Sequence, residues 1–194
     1  MRRFRFVSLA VLLLFAVAIR PIQAHEDDPH MMEARQTVKK FADELRGHLQ
    51  TQMKAGGIYA AIGVCADVAP AVYSRLSRET GWTVRRVSLK VRNALDIPDA
   101  WERAVLQDFD KKLAAGAEPG KLEHSETVTE GDQSYFRYLK AIPTAEVCLT
   151  CHGAPEQMPA EVQTLLKEKY PHDKATGYSA GTIRGAFAIK RPLP

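Results

Sequence analysis

Cys148-Leu149-Thr150-Cys151-His152 carries the densest chemistry in this 194-residue chain. C-x-x-C-H is the attachment pattern of a c-type haem. Two thiols spaced by two residues can add to the two vinyl groups of one porphyrin, and the adjacent imidazole then lies under the iron as its proximal ligand. A zinc site would need a second cysteine pair, but Cys65 is the one further cysteine. A thioredoxin-like pair belongs at the end of an early strand, whereas this pair comes late, after Ile142-Pro143. The expected cofactor is therefore one covalent haem c, on Cys148 and Cys151, with His152 on the iron.

The sixth iron position is open at this level. Only 42 residues follow His152, and Met158 would have to wrap the porphyrin edge within a few residues to reach it. An upstream ligand is expected. Cys65 is left over once haem is attached, and thiolate is a recognised haem ligand that ferric iron helps to deprotonate. The same residue also reads as a small buried hydrophobe among Ile62, Val64 and Val68. Met53, His48, His124 and His172 are the rivals.

Haem attachment to thiols needs an exported chain, and the N-terminus suits export. Arg2, Arg3 and Arg5 precede an apolar run of 14 residues, Phe6 to Ile19, broken by Ser8; Ala24 then stands at a cleavage position. This order is that of a secretory signal peptide over residues 1–24, and the run is short for an anchor. The whole chain carries 27 basic against 23 acidic residues, net +4; four arginines fall in residues 1–24, so the remainder is balanced at 23 of each. A neutral mature chain argues against nucleic-acid binding and against attraction to anionic membranes. Residues 25–194 suffice for one domain with its own core and are expected in the periplasm.

The positioning elements follow from periodicity. Ala34, Val38, Phe41, Leu45, Leu49 and Met53 form one stripe of a long helix from about Pro29 to Lys54, ended by Gly56-Gly57. At ~1.5 Å per residue it is roughly 35–40 Å long, more than a small core needs. It packs across the domain's own sheet, or part of the stripe meets a partner or a second copy. A second helix carries Val68, Val72 and Leu76, with Asp67 as N-cap and Gly81 as stop. Trp82 to Val91 reads as a strand with one slip in its alternation. Pro98-Asp99 opens a third helix with Trp101, Val105, Phe109 and Leu113 on one face. Ser125–Glu130 and Ser134–Ile142 flank Gly131-Asp132-Gln133 as a hairpin. Pro159 to Tyr170 is a fourth helix, and Ala186–Ile189 a closing strand. The class is α+β: a small antiparallel sheet with flanking helices.

Several segments together resemble the haem-binding, PAS-like domain family found alone in the periplasm or as the sensory part of histidine kinases and chemoreceptors. They are Ala61-Ile62-Gly63-Val64-Cys65 with Ala69-Pro70; Ser88 to Asn93 with Pro98 to Glu102; Cys148 to Gly153; and Tyr170 to Tyr178 with Gly181 and Gly185. They span nearly the whole mature chain in order. The resemblance implies a PAS-like fold and a covalent haem with His152 on one side. In at least one member a cysteine takes the other side, and the matching position is Cys65. Ala94 departs from the pattern, which would have proline after Arg92-Asn93.

Arg92 can pair a haem propionate as a guanidinium–carboxylate fork, with Arg85, Arg86 and Arg184 as alternatives. Tyr178 can hydrogen-bond a propionate or the thiolate, or be a core tyrosine. The expected function is a redox or small-ligand sensor or signalling module, answering to reduction or to a diatomic gas and passing its output to a separate periplasmic protein. The alternative is a periplasmic electron-transfer cytochrome. No enzymatic role is expected; a peroxidase-like or reductase site would need a distal acid or base, for which Glu102, His124 and His172 are on hand.

Overall fold

Asp28 accepts a 2.8 Å hydrogen bond from the His30 N–H, and Pro29 takes the first helical position, so the first helix starts where the apolar stripe does. The computed structural model describes residues 28–194; the expected signal segment, residues 1–24, lies outside them. Helix α1 spans Pro29–Gly63. Gly57, at φ 64° and ψ −151°, breaks it with backbone angles open to glycine. The expected stop at Gly56-Gly57 is thus a kink, after which helix resumes. It runs through a π-helical turn, Val64–Val68, into α2, Ala69–Thr80, which ends at left-handed Gly81. Because the helix is unbroken there, exposed Asp67 is not an N-cap, contrary to expectation.

By length and composition the stretch Pro29–Thr80 contains a window apolar enough to cross a membrane. Within the fold, its Ala61, Ile62, Val64, Ala69 and Val72 are buried.

Four strands follow: β1 Thr83–Val87, β2 Glu123–Glu130, β3 Gln133–Pro143 and β4 Ile183–Pro192. They pair antiparallel in the order β1-β4-β3-β2, with flanking helices α3 (Ala100–Ala114), α4 (Leu149–His152) and α5 (Ala160–Lys169). This is the expected α+β class, consistent with a PAS-like fold. The β2–β3 turn is two residues, with Gly131 at φ 61° as its first member, the position a type II′ hairpin reserves for glycine. β1 is shorter than expected. Ser88 leaves the ladder because its N–H bonds to the Asp96 carbonyl and its hydroxyl to the Arg184 and Lys90 carbonyls.

The sheet's period of two divides the core. Leu139, Ala141, Ala186 and Ala188 face Val105, Leu106 and Phe109 of α3. Phe136, Tyr138 and Ile189 face Met31, Ala34 and Val38 of α1, while Phe41 packs with Val72 and Leu76 of α2 and Val84 of β1. Only the first half of the α1 stripe is buried on the sheet in this way. Leu45, Leu49 and Met53 line an open groove against Ala141, Val147 and Phe187.

Glu102 closes the α3 start. It forms a capping box with Asp99 and binds the Arg85 guanidinium, beside buried Arg137. One irregularity matters for the site. Ile142 pairs with Gly185 but Pro143 pairs with Ile183, which leaves Arg184 as the extra residue of a β-bulge. Gly185 sits so close to β1 that a Cβ would lie 2.4 Å from the Val87 carbonyl oxygen. Gly185→Ala is therefore expected to destabilise the fold by about 1–3 kcal/mol through overpacking, read as a lower urea midpoint at unchanged slope.

Candidate functional site

His152 ends the one-turn helix α4, and the rest of its surroundings hold it still. Its Nδ1 lies 2.8 Å from the Ala175 carbonyl oxygen. A carbonyl only accepts, so Nδ1 bears the proton and Nε2 keeps a free lone pair. Burial pushes the imidazole pKa down to about 2, aided by the positive charges of Arg184 and Arg92. The ring is thus neutral across the physiological range, which is the state a metal ligand requires.

The backbone around it is clasped twice more. The Tyr178 N–H donates to the His152 carbonyl at 2.9 Å and the Gly177 N–H to the Gly153 carbonyl at 2.7 Å. The Tyr178 ring meets the imidazole edge-on, with centroids 6.1 Å apart. Its hydroxyl donates to the Arg184 carbonyl and neighbours Ser88 Oγ, so Tyr178 braces His152 from behind.

Arg92 ties the same loop to the haem-type motif. Its Nε donates to Asp173 Oδ2 at 3.0 Å, and its Nη2 donates to the carbonyls of Cys151 and Ala175. Asp173 Oδ1 in turn accepts from the Ala175 N–H at 2.7 Å, fixing the carbonyl that fixes His152. Arg92 lines the cavity, yet its guanidinium is engaged with protein groups.

Cys65, Cys148, Cys151 and His152 all line one cavity, of about 680 Å³ including its mouth. Leu49, Met53, Ile58, Ala61 and Ile62 of α1 make its apolar wall, and Tyr170 and Arg184 its polar edge. Cys65 arrives on the π-helical turn beyond the Gly57 break, while Ile62 packs on Met158 and on Val162 and Leu166 of α5, with Cys151 against the same cluster. All three cysteines are free thiols. Burial raises the pKa of the Cys151 thiol. Among the described residues, no three His, Cys, Asp or Glu side chains converge as ligands of a bare metal ion. The thiols and imidazole instead surround a space. Such a donor set, two thiols one turn apart and an imidazole with Nε2 free, fits a macrocycle that carries its own metal.

Of the rival ligands, Met53 lines this cavity too. Met158 is buried in the α5 core, His48 and His172 are exposed, and His124 lies against Trp101. The candidate acid–base groups Glu102, His124 and His172 are absent from the cavity wall. Arg184, named at first only as one alternative to Arg92, lies at the rim of both this cavity and an adjoining one lined by Arg86, Lys90, Arg92 and Asp96. A lone cation within the apolar strand Ile183 to Ile189 was the signal for it.

A family model described as Tll0287-like matches residues 23–192. Among solved structures, the fold is similar to that of the cyanobacterial heme-protein Tll0287, with a TM-score of 0.66 and 26% identity over 87% of this chain and 98% of that one. No curated protein is significantly similar to the chain.

The clasp yields a stability prediction. Asp173→Ala would leave Arg92, whose side chain is 10% exposed, without its carboxylate and free the Ala175 turn. The expected cost is about 3 kcal/mol, measured by chemical denaturation, with Asp173→Asn retaining part of it through the turn hydrogen bond.

Proposed function

Because the chain belongs to the Tll0287-like family, we propose that it is a haem protein. In this reading it is exported to the periplasm and carries one c-type haem, whose iron serves redox or small-ligand sensing. The meeting of Cys65 with the C-x-x-C-H residues on one cavity supports the reading most directly. Cys148 and Cys151 would bear the thioether links. His152 Nε2 and the Cys65 sulfur would hold the iron. Haem, when bound, supplies reversible one-electron chemistry and an exchangeable coordination site.

The protein's own part is positioning. The Ala175 carbonyl holds His152 in the ligating tautomer. The α1 wall of Leu49, Met53 and Ile62 keeps water from one side of the cavity. Cys65 rides on a π-helical turn between a glycine kink and α2, a local departure from regular helix of the kind frequent at functional sites. A change of redox state, or a diatomic gas, that freed Cys65 would let that turn and the flanking helices shift toward a signalling partner. The alternative, an electron carrier, draws on the open mouth of the groove beside exposed Met53 and Val147.

Material matured in cells able to attach haem is expected to gain the mass of one haem. A bare polypeptide mass would end the proposal. Wild type is expected to show a thiolate-ligated ferric spectrum that is lost on reduction and with carbon monoxide, and Cys65→Ser to lack it throughout. A thiolate spectrum that persists in the ferrous state favours the carrier.

A further inference from the structure

A half-buried cation without a counterion calls for explanation. The guanidinium of Arg184 stands at the rim of the cavity that holds Cys65 and His152, and its Nε is sealed from water without a hydrogen-bond partner. No ion pair to Arg184 occurs among the described residues. The nearest charges make matters worse: Arg86 and Arg92 line the same adjoining cavity, with Lys90 at its edge.

Arg86, itself 8% exposed, has a second orphaned Nε and only a 3.6 Å ion pair to Asp96, whose Oδ1 is likewise unpartnered. Arg92 is satisfied by Asp173. The pole therefore holds Arg86, Arg92, Arg184 and Lys90 against Asp96 and Asp173. A half-buried guanidinium whose sealed Nε lacks a partner, among further cations, is an arrangement that a ligand of opposite charge would relieve. The backbone agrees. Arg184 is the extra residue of the β3–β4 bulge, a device that re-aims a side chain beside a site.

We propose that Arg184, backed by Arg86, is the anchor for a propionate carboxylate of the bound porphyrin. The inference rests on the haem reading above and deepens it. A planar guanidinium matches a carboxylate fork in two parallel hydrogen bonds. The chemistry recognised is a carboxylate or similar oxyanion, and a free anion such as phosphate is the other source.

The test uses haem-loaded protein whose added mass and axial spectrum have first been verified, so that failure of the haem reading shows before Arg184 is altered. Resonance Raman spectra of the propionate bending modes and redox titrations are then compared for wild type, Arg184→Gln and Arg184→Lys. Arg184→Gln is expected to shift the propionate band and to lower the midpoint potential, because a cation near the iron disfavours the ferric state. Arg184→Lys is expected to restore the potential but not the band, since charge returns without the fork. Should Arg184→Gln fail to accumulate, the band in Arg184→Lys carries the test. A wild-type band and potential in Arg184→Gln, with only a lower melting temperature, would overturn the proposal. So would a saturable rise in wild-type melting temperature on adding inorganic phosphate that Arg184→Gln abolishes, because the site would then be open to a free anion.

Discussion

One hydrogen bond carries the site: Nδ1 of His152 to the carbonyl of Ala175. It decides which ring nitrogen has the proton, and so which is free to ligate. It works because the carbonyl is itself fixed, through the Ala175 N–H to Asp173 and through Arg92, which bonds both to Asp173 and to the Cys151 backbone. An imidazole so deeply buried among arginines has no tendency to take up a proton. The loop after α5, which has almost no regular structure, is thus as much a part of the site as the cysteine motif.

The second constraint is a space. Helix α1 outruns the part of the sheet it packs on tightly, and beyond Phe41 its stripe is only partly covered, with Leu45, Leu49 and Met53 lining an open groove. The helix neither stops nor fills the gap. It breaks at Gly57 and turns Ile58–Cys65 across the opening, where α5 supports it through Ile62. A long apolar stripe, read alone, suits the domain's own sheet or, in part, a protein partner. Here half of it walls a cavity, and covering that half with a porphyrin face would satisfy the same hydrophobic demand.

Electrostatics makes the cavity two-ended. The α1 side is apolar, while the other end gathers arginines from β1, from the segment after it and from the β4 bulge. An amphipathic ring with a hydrocarbon body and acidic substituents has this same division. The cationic end also helps keep His152 neutral, so ligand positioning and charge balance are coupled.

Much of this was legible in the order of residues. Helix and strand periods, the Gly131 hairpin, the helix start at Pro98-Asp99 and the C-x-x-C-H motif are local patterns, each set by interactions within a few positions. Gly57 was visible as a break, but whether the chain stops there or kinks depends on what lies beyond, and α5 supplies that. Asp67 looked like a cap until the helix proved continuous through the π-turn. Cys65 was an odd thiol whose place beside a motif 83 residues away could not come from spacing. The residue order favours Arg92 and leaves Arg184 among its alternatives. Folding gave Arg92 a carboxylate and two carbonyls and gave the Arg184 side chain none among the described residues, because partnership depends on contacts among segments far apart in the chain, and those exist only once the sheet, the bulge and the α5 loop have come together.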